Sequence, residues 1–192
     1  ARAALRASDA AIVVIDAVSG VQVSTEKVWA QAGELGLPRL VVVNRLDRDR
    51  ASLDRVLESI RGTLGRNVVP VQLPIGEEQR FGGVVDLVGM KAYTFAQDES
   101  GTATEVPVPA DLTDAASAAR EALIETVAEA DDALMERFFE TGTLTQEEIT
   151  SGLSRAIRAG TLFPVFCTSG LRNLGVQPLL DAIVTYVPSP AE

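Results

Sequence analysis

Two short polar clusters follow apolar runs that read as buried strands. Asn44-Arg-Leu-Asp47 comes directly after Leu40-Val-Val-Val43, and Thr168-Ser-Gly-Leu171 directly after Phe163-Pro-Val-Phe-Cys167. In parallel sheets ligands bind outside the carboxyl ends of the strands, so chemistry is expected at these two places. An Asn-x-x-Asp turn there sets one carboxylate where two parallel N–H donors of a planar base can reach it. Guanine carries such a pair on one edge and adenine does not. A turn of small residues at a neighbouring strand end can aim a backbone N–H at a carbonyl oxygen of the same base. Leaving a buried polar partner unpaired costs about 1–3 kcal/mol, so a site of this kind discriminates between bases. Spacing alone leaves a plainer reading open, an ordinary strand-end turn in which Asp47 caps the next helix.

Composition removes several other chemistries. The chain has 192 residues and no histidine, which excludes a His-based triad, His metal ligation and an imidazole acid or base. Its one cysteine, Cys167, excludes an internal disulfide framework and a Cys-rich zinc site, and a reduced, cytoplasmic setting is expected. Cys167 sits in an apolar run and reads as a small buried hydrophobe. Trp29, at helical spacing, reads as core. Asp16 ends another apolar run and reads first as a loop or cap residue. The net charge of −10 argues against bulk binding to a phosphate backbone. No apolar run approaches the roughly 18 residues of a membrane span and no signal peptide opens the chain, so no membrane association is expected. The first residue is Ala1 and not Met, so a piece of a longer protein is expected.

The elements that must position these clusters change character along the chain. Ala11-Ile-Val-Val-Ile15 and Leu40-Val-Val-Val43 are runs without polar alternation, as in strands covered on both faces. Helical patterns at about 24–35 and 49–64 follow them, which reads as parallel crossovers. From 68 to 95, Pro70, Pro74, Gly76, Gly82 and Gly83 separate short β-prone runs, as in a small antiparallel sheet. Residues 97–111 read as a loop, 113–140 as a long helical pattern with a possible break near Asp131, and 145–159 as a further helix opened by a Thr145/Glu148 capping box. The end returns to the first style, with a strand at 163–167 and a helix at about 176–186 stopped by Pro188 and Pro190. Charge follows the same division. Residues 1–66 hold 10 basic and 8 acidic side chains, 67–160 hold 6 and 17, and 161–192 hold 1 and 2. The pattern predicts an α/β protein: a parallel layer from 1–66 and 161–192, and an acidic α+β insertion at 67–160.

At this point the chain resembles elongation factor G and its elongation-factor-G-like relatives among the translational GTPases. The likeness runs from Ala4-Leu-Arg-Ala-Ser-Asp-Ala-Ala11 to Val187-Pro-Ser-Pro190. It is carried by Val41-Val-Val-Asn-Arg-Leu-Asp-Arg48, Val69-Pro-Val-Gln-Leu-Pro-Ile-Gly76, Gly83-Val-Val-Asp-Leu-Val88, Met90-Lys-Ala-Tyr93, Cys167-Thr-Ser-Gly170 and Gly175-Val-Gln-Pro-Leu-Leu-Asp181. The resemblance implies part of a P-loop-GTPase-type parallel sheet, with a subdomain inserted before its last strand. It implies GTP or GDP as ligand and guanine recognition by Asn44, Arg45, Asp47, Ser169, Gly170 and Leu171. Asp47 would take the two N–H groups of the base, and the Ser169-Gly170 turn would offer an N–H to its oxygen. The family's usual Lys is Arg45 here and its Ala is Gly170; both changes bear on affinity more than on base identity.

The chemistry of hydrolysis is not in these residues. A phosphate loop needs Gly-x-x-x-x-Gly-Lys-Ser/Thr, yet the two lysines, Lys27 and Lys91, follow Glu26 and Met90. By the resemblance, the Asp-x-x-Gly-His segment would lie upstream of Ala1, and the magnesium ligands would be missing with it. The chain alone is therefore expected to be inactive, without catalytic residues, and to bind GDP weakly. On the acidic middle, Glu121, Glu125, Glu129, Asp132 and Glu136 would share a sector of about 80° if one helix ran throughout. Ala116, Ala119, Leu123, Val127, Ala130 and Leu134 would then lie opposite. A solvated face is the plain reading of such a stripe. The resemblance implies a ribosome-binding role, with Glu125, Glu129 and Asp132 meeting the ribosomal stalk protein. An apolar strand at 11–15 with an open edge predicts dimerisation or element exchange there. The alternatives are a non-catalytic stalk-binding module, or a ribosomal-protection or release-factor-type GTPase.

Overall fold

The computed structural model describes residues 2–189; Ala1 and residues 190–192, Pro190 among them, lie outside the described residues. The chain forms α1 Arg2–Leu5, β1 Ala11–Asp16, α2 Val23–Glu34, β2 Arg39–Asn44, α3 Leu53–Thr63, β3 Val68–Pro70 and β4 Gln72–Ile75. It continues through β5 Gly83–Asp86, β6 Lys91–Phe95, β7 Ala103–Val106, α4 Thr113–Glu129, α5 Asp132–Thr141, α6 Gln146–Arg158, β8 Phe163–Cys167 and α7 Val176–Tyr186. Two four-stranded sheets result, one ordered β1-β2-β8-β3 and the other β4-β5-β6-β7. The first is parallel throughout and the second antiparallel throughout.

The apolar runs explain the first sheet. Every residue of β8 is buried, and Leu40 to Val43 in β2 are buried too, so each strand needs cover on both faces. On one face Val41, Val43, Val165 and Cys167 pack with Trp29 of α2 and Val56, Leu57 and Ile60 of α3. On the other, Leu40, Val42 and Phe166 pack with Ala182 and Tyr186 of α7 and with Leu123, Ile149 and Leu153 from the middle of the chain. The antiparallel sheet also contributes to both clusters, Val84 to one and Val85 to the other. The acidic middle thus shares its apolar cover with the parallel sheet.

The chain changes sheets at Val71, whose N–H donates to Val165 O at 3.2 Å and whose carbonyl accepts from Leu87 N–H at 3.0 Å. β3, inside the range read as the insertion, is therefore the outer strand of the parallel sheet; the run Val68-Val-Pro-Val71 feeds one sheet and then the other. Two further features differ from the sequence reading, and a third follows it. β7 forms within the expected loop, because pairing with β6 recruits a polar Ala-Thr-Glu-Val segment that carries no apolar alternation. α3 starts at Leu53, where the Ser52 hydroxyl accepts from Arg55 N–H. The long acidic pattern is two helices, parted at the break near Asp131 that the sequence marks. Asp131 accepts from the N–H groups of Ala133 and Leu134 and so caps a new helix, and Ala130 is left exposed. A hydrogen bond from Arg155 holds the Asp131 carboxyl below the usual aspartate value. The Thr145/Glu148 capping box opens α6 as read.

Candidate functional site

β2 and β8 are neighbours, with Val43 opposite Cys167, so the turns that follow them emerge side by side. Three backbone N–H groups tie the turns together. Thr168 N–H donates to Val43 O at 2.9 Å, Leu46 N–H donates to Thr168 O at 3.3 Å, and Gly170 N–H donates to Asn44 Oδ1 at 2.9 Å. The Thr168 hydroxyl lies 3.3 Å from the same Asn44 oxygen. Asn44 is thus the clamp between the two strand ends, and Thr168, named in the sequence cluster but given no role there, is its second partner. The signal was present in the unbroken Cys-Thr-Ser-Gly run.

Arg45 takes φ of +67°, a left-handed conformation uncommon outside glycine. That backbone reverses the chain, so that Arg48 N–H reaches Arg45 O at 3.1 Å. The Arg45 guanidinium lies outside, 3.1 Å from Asp16 Oδ2 at the end of β1. Asp16 also accepts from Val18 and Ser19 N–H, both at 2.9 Å. Burial pushes the Asp16 carboxyl up, but the bonds from Ser19, Val18 and Arg45 outweigh it and hold the group below its ordinary value. Asp16 is therefore both the loop cap that the sequence indicates and the anchor of Arg45.

Two polar atoms at this strand end are buried without a hydrogen-bond partner, Asp47 Oδ1 and Ser169 Oγ. Such groups carry a cost of about 1–3 kcal/mol each unless something satisfies them. A carboxylate oxygen such as that of Asp47 can be satisfied only by a donor, an N–H or O–H group. The backbone donors differ in detail from the sequence reading. Ser169 N–H already donates to Leu174 O at 2.9 Å, and Gly170 N–H is held by Asn44. Leu171 is exposed, and its N–H has no hydrogen-bond partner among the described residues. The turn is closed behind by Leu174 N–H to Ser169 O at 3.0 Å and by Gly175 at φ +74°, where an added Cβ would lie 2.2 Å from Cys167 O. Only glycine fits there. At Gly170 an added Cβ would meet Asn44 Oδ1 at 3.6 Å, an ordinary contact, and the φ is not left-handed.

The other singled-out residues are elsewhere. Cys167 is fully buried, burial pushes its thiol up, and its N–H donates to Gln72 Oε1 at 3.1 Å. Trp29 is core, edge-on to Phe163 with ring centroids 4.8 Å apart. Glu125 and Glu129 are exposed on α4, and Asp132 is exposed in the first turn of α5. Among the described residues, no group of three or more His, Cys, Asp or Glu is arranged to hold a metal ion. No helix among them is long and apolar enough to cross a membrane.

A parallel α/β sheet with two polar turns knitted at its carboxyl edge, carrying an inserted antiparallel unit, is the build of a GTPase domain with an inserted subdomain. The chain belongs to the family described as the elongation factor Tu GTP binding domain, which it matches over residues 1–189. It is also similar to a crystal structure of a protein from Thermus thermophilus, at 38% identity and a TM-score of 0.89. That similarity covers 99% of this chain and 28% of the other. The elongation-factor-type reading of the sequence holds at this level.

Proposed function

We propose that these residues supply guanine recognition to a translational GTPase of the elongation-factor-G-like type. The observation that carries the reading is the orphaned, buried Asp47 Oδ1 beside a turn clamped to Asn44. In this role Asp47 accepts the paired N–H groups of the base, Arg45 lies along the ring, and the Ser169-Gly170-Leu171 turn faces its carbonyl oxygen. Gly170 N–H is engaged by Asn44, so the base oxygen either shares that donor or takes the open Leu171 N–H. Asn44 acts by positioning, since its oxygen holds the two turns in register.

The bound nucleotide would be GTP or GDP. No phosphate-loop lysine is among the 192 residues, so this chain holds the base and not the phosphates. The wider setting, protein synthesis on the ribosome in the cytoplasm, follows the family. The exposed carboxylates Glu125, Glu129 and Asp132 suit a basic partner surface such as the ribosomal stalk protein's, reached through screened, salt-sensitive attraction.

Amide NMR tests the base assignment. Millimolar guanosine is expected to shift the Asp47, Gly170 and Leu171 amides of the 192-residue chain, and equal adenosine to leave them in place. Identical responses to the two nucleosides would defeat the assignment.

A further inference from the structure

Asp16 gives its two carboxylate oxygens to different partners. Oδ1 accepts from the N–H groups of Val18 and Ser19, both at 2.9 Å, and so closes the turn that follows β1. Oδ2 accepts from Arg45 Nη1 at 3.1 Å. The same turn is closed a second time by Gly20 N–H, which donates to the Asp16 carbonyl at 2.9 Å. The end of β1 is itself held against β2, since Asp16 is in register with Asn44 and Ala17 N–H donates to Asn44 O at 2.9 Å. The backbone therefore fixes the carboxylate independently of Arg45.

Asn44 and Arg45 are consecutive at the end of β2, yet they reach to opposite sides. Asn44 Oδ1 meets Gly170 after β8, and the Arg45 guanidinium meets Asp16 at the end of β1. An arginine side chain is an apolar stem with a charged head, and the stem can lie against an apolar surface while the head keeps its polar partner. With the head held at β1, the stem runs along the carboxyl edge of the sheet. The Arg45 side chain is 58% exposed, and an ion pair this open to water adds little to the stability of the fold. What it fixes is the rotamer of Arg45. A free arginine samples many rotamers, and a ligand that needs one of them must bear the cost of ordering it.

The geometry points to Asp16 as a positioning residue for base binding: by holding the Arg45 head it sets the arginine stem as one face of the guanine slot before the base arrives. The inference rests on the guanine reading of Asp47 and deepens it. Asp47 takes the edge of the base and selects it. The Arg45 stem covers the flat of the ring, a contact that any purine offers. Asp16 therefore sets how tightly the base is held and not which base is held.

The division between the two oxygens supplies the test. Asp16→Asn keeps an oxygen for Val18 and Ser19 and turns an NH2 group toward the guanidinium, so the turn stays and Arg45 is released. Guanosine is titrated by NMR into the wild-type chain, Asp16→Asn, Arg45→Met and the double variant. Asp16→Asn should bind guanosine about threefold more weakly, with the Val18 and Ser19 amide shifts kept. The ring-current shifts that guanosine induces on the Arg45 methylene protons should shrink in the same variant. Arg45→Met, which keeps a stem without the head, should lose about as much, and adding Asp16→Asn to it should lose nothing further. Guanosine binding to either single variant as tightly as to wild type, or more tightly, would overturn the inference. So would a further loss on adding Asp16→Asn to Arg45→Met, because Asp16 would then act without Arg45. Those results leave the base reading standing. A wild-type chain that answers guanosine and adenosine alike defeats the base reading, and the positioning role falls with it.

Discussion

Asn44 and Asp47 divide the work of one turn. The first bonds the protein to itself, and the second leaves an oxygen for something else. That division was half legible in the sequence: an apolar run ending in Asn-x-x-Asp marks a strand end, but not which donor each oxygen receives. The Asp16–Arg45 pair was not legible at all, because its members are 29 residues apart and meet only once β1 lies beside β2. Two glycines in one turn make a paired prediction. Gly170→Ala should stay within about 0.5 kcal/mol of wild type in urea unfolding, since its Cβ has room. Gly175→Ala should lose about 2 kcal/mol or more, because a left-handed backbone and a contact with Cys167 O act together. Equal losses at the two sites would show that the turn geometry is misread.

Helix and strand boundaries followed the local chemistry where that chemistry was strong. The capping box placed α6, and the apolar runs placed β1, β2 and β8. β7 escaped because its Ala-Thr-Glu-Val, exposed except for the half-buried Val106, is held by its neighbour and not by its own pattern. The break between α4 and α5 bears on the proposed partner surface. Glu125 and Glu129 belong to one helix, while Asp132 sits in the positive first turn of the next, so no single continuous stripe exists. The proposed partner would have to span the corner. Reversing Glu125, Glu129 and Asp132 to Lys is expected to weaken binding to the stalk protein's carboxyl-terminal domain at least tenfold at low salt, measured by calorimetry. The loss should shrink as salt rises. Unchanged affinity at low salt would remove this surface from consideration.

As a whole the molecule is less divisible than its charge distribution. The composition shift at 67–160 marked where the sheet type changes, to within the few residues of β3, but not that both sheets would share two apolar clusters. Periodicity reports which side of an element is apolar and is silent on what covers it. With only the proposed base contacts and no phosphate-loop lysine in the sequence, the purified chain is expected to release no phosphate from GTP and to show no micromolar GDP affinity in calorimetry. GTP-dependent turnover would contradict that. The central claim is that the ends of β2 and β8 together read guanine through Asp47. It is tested most directly by Asp47→Asn, which offers one acceptor and one donor where the carboxylate offered two acceptors. The account predicts that the guanosine-induced shifts vanish and that xanthosine, with an oxygen in place of the 2-amino group, produces them instead. A variant that still answers to guanosine as wild type does would contradict it.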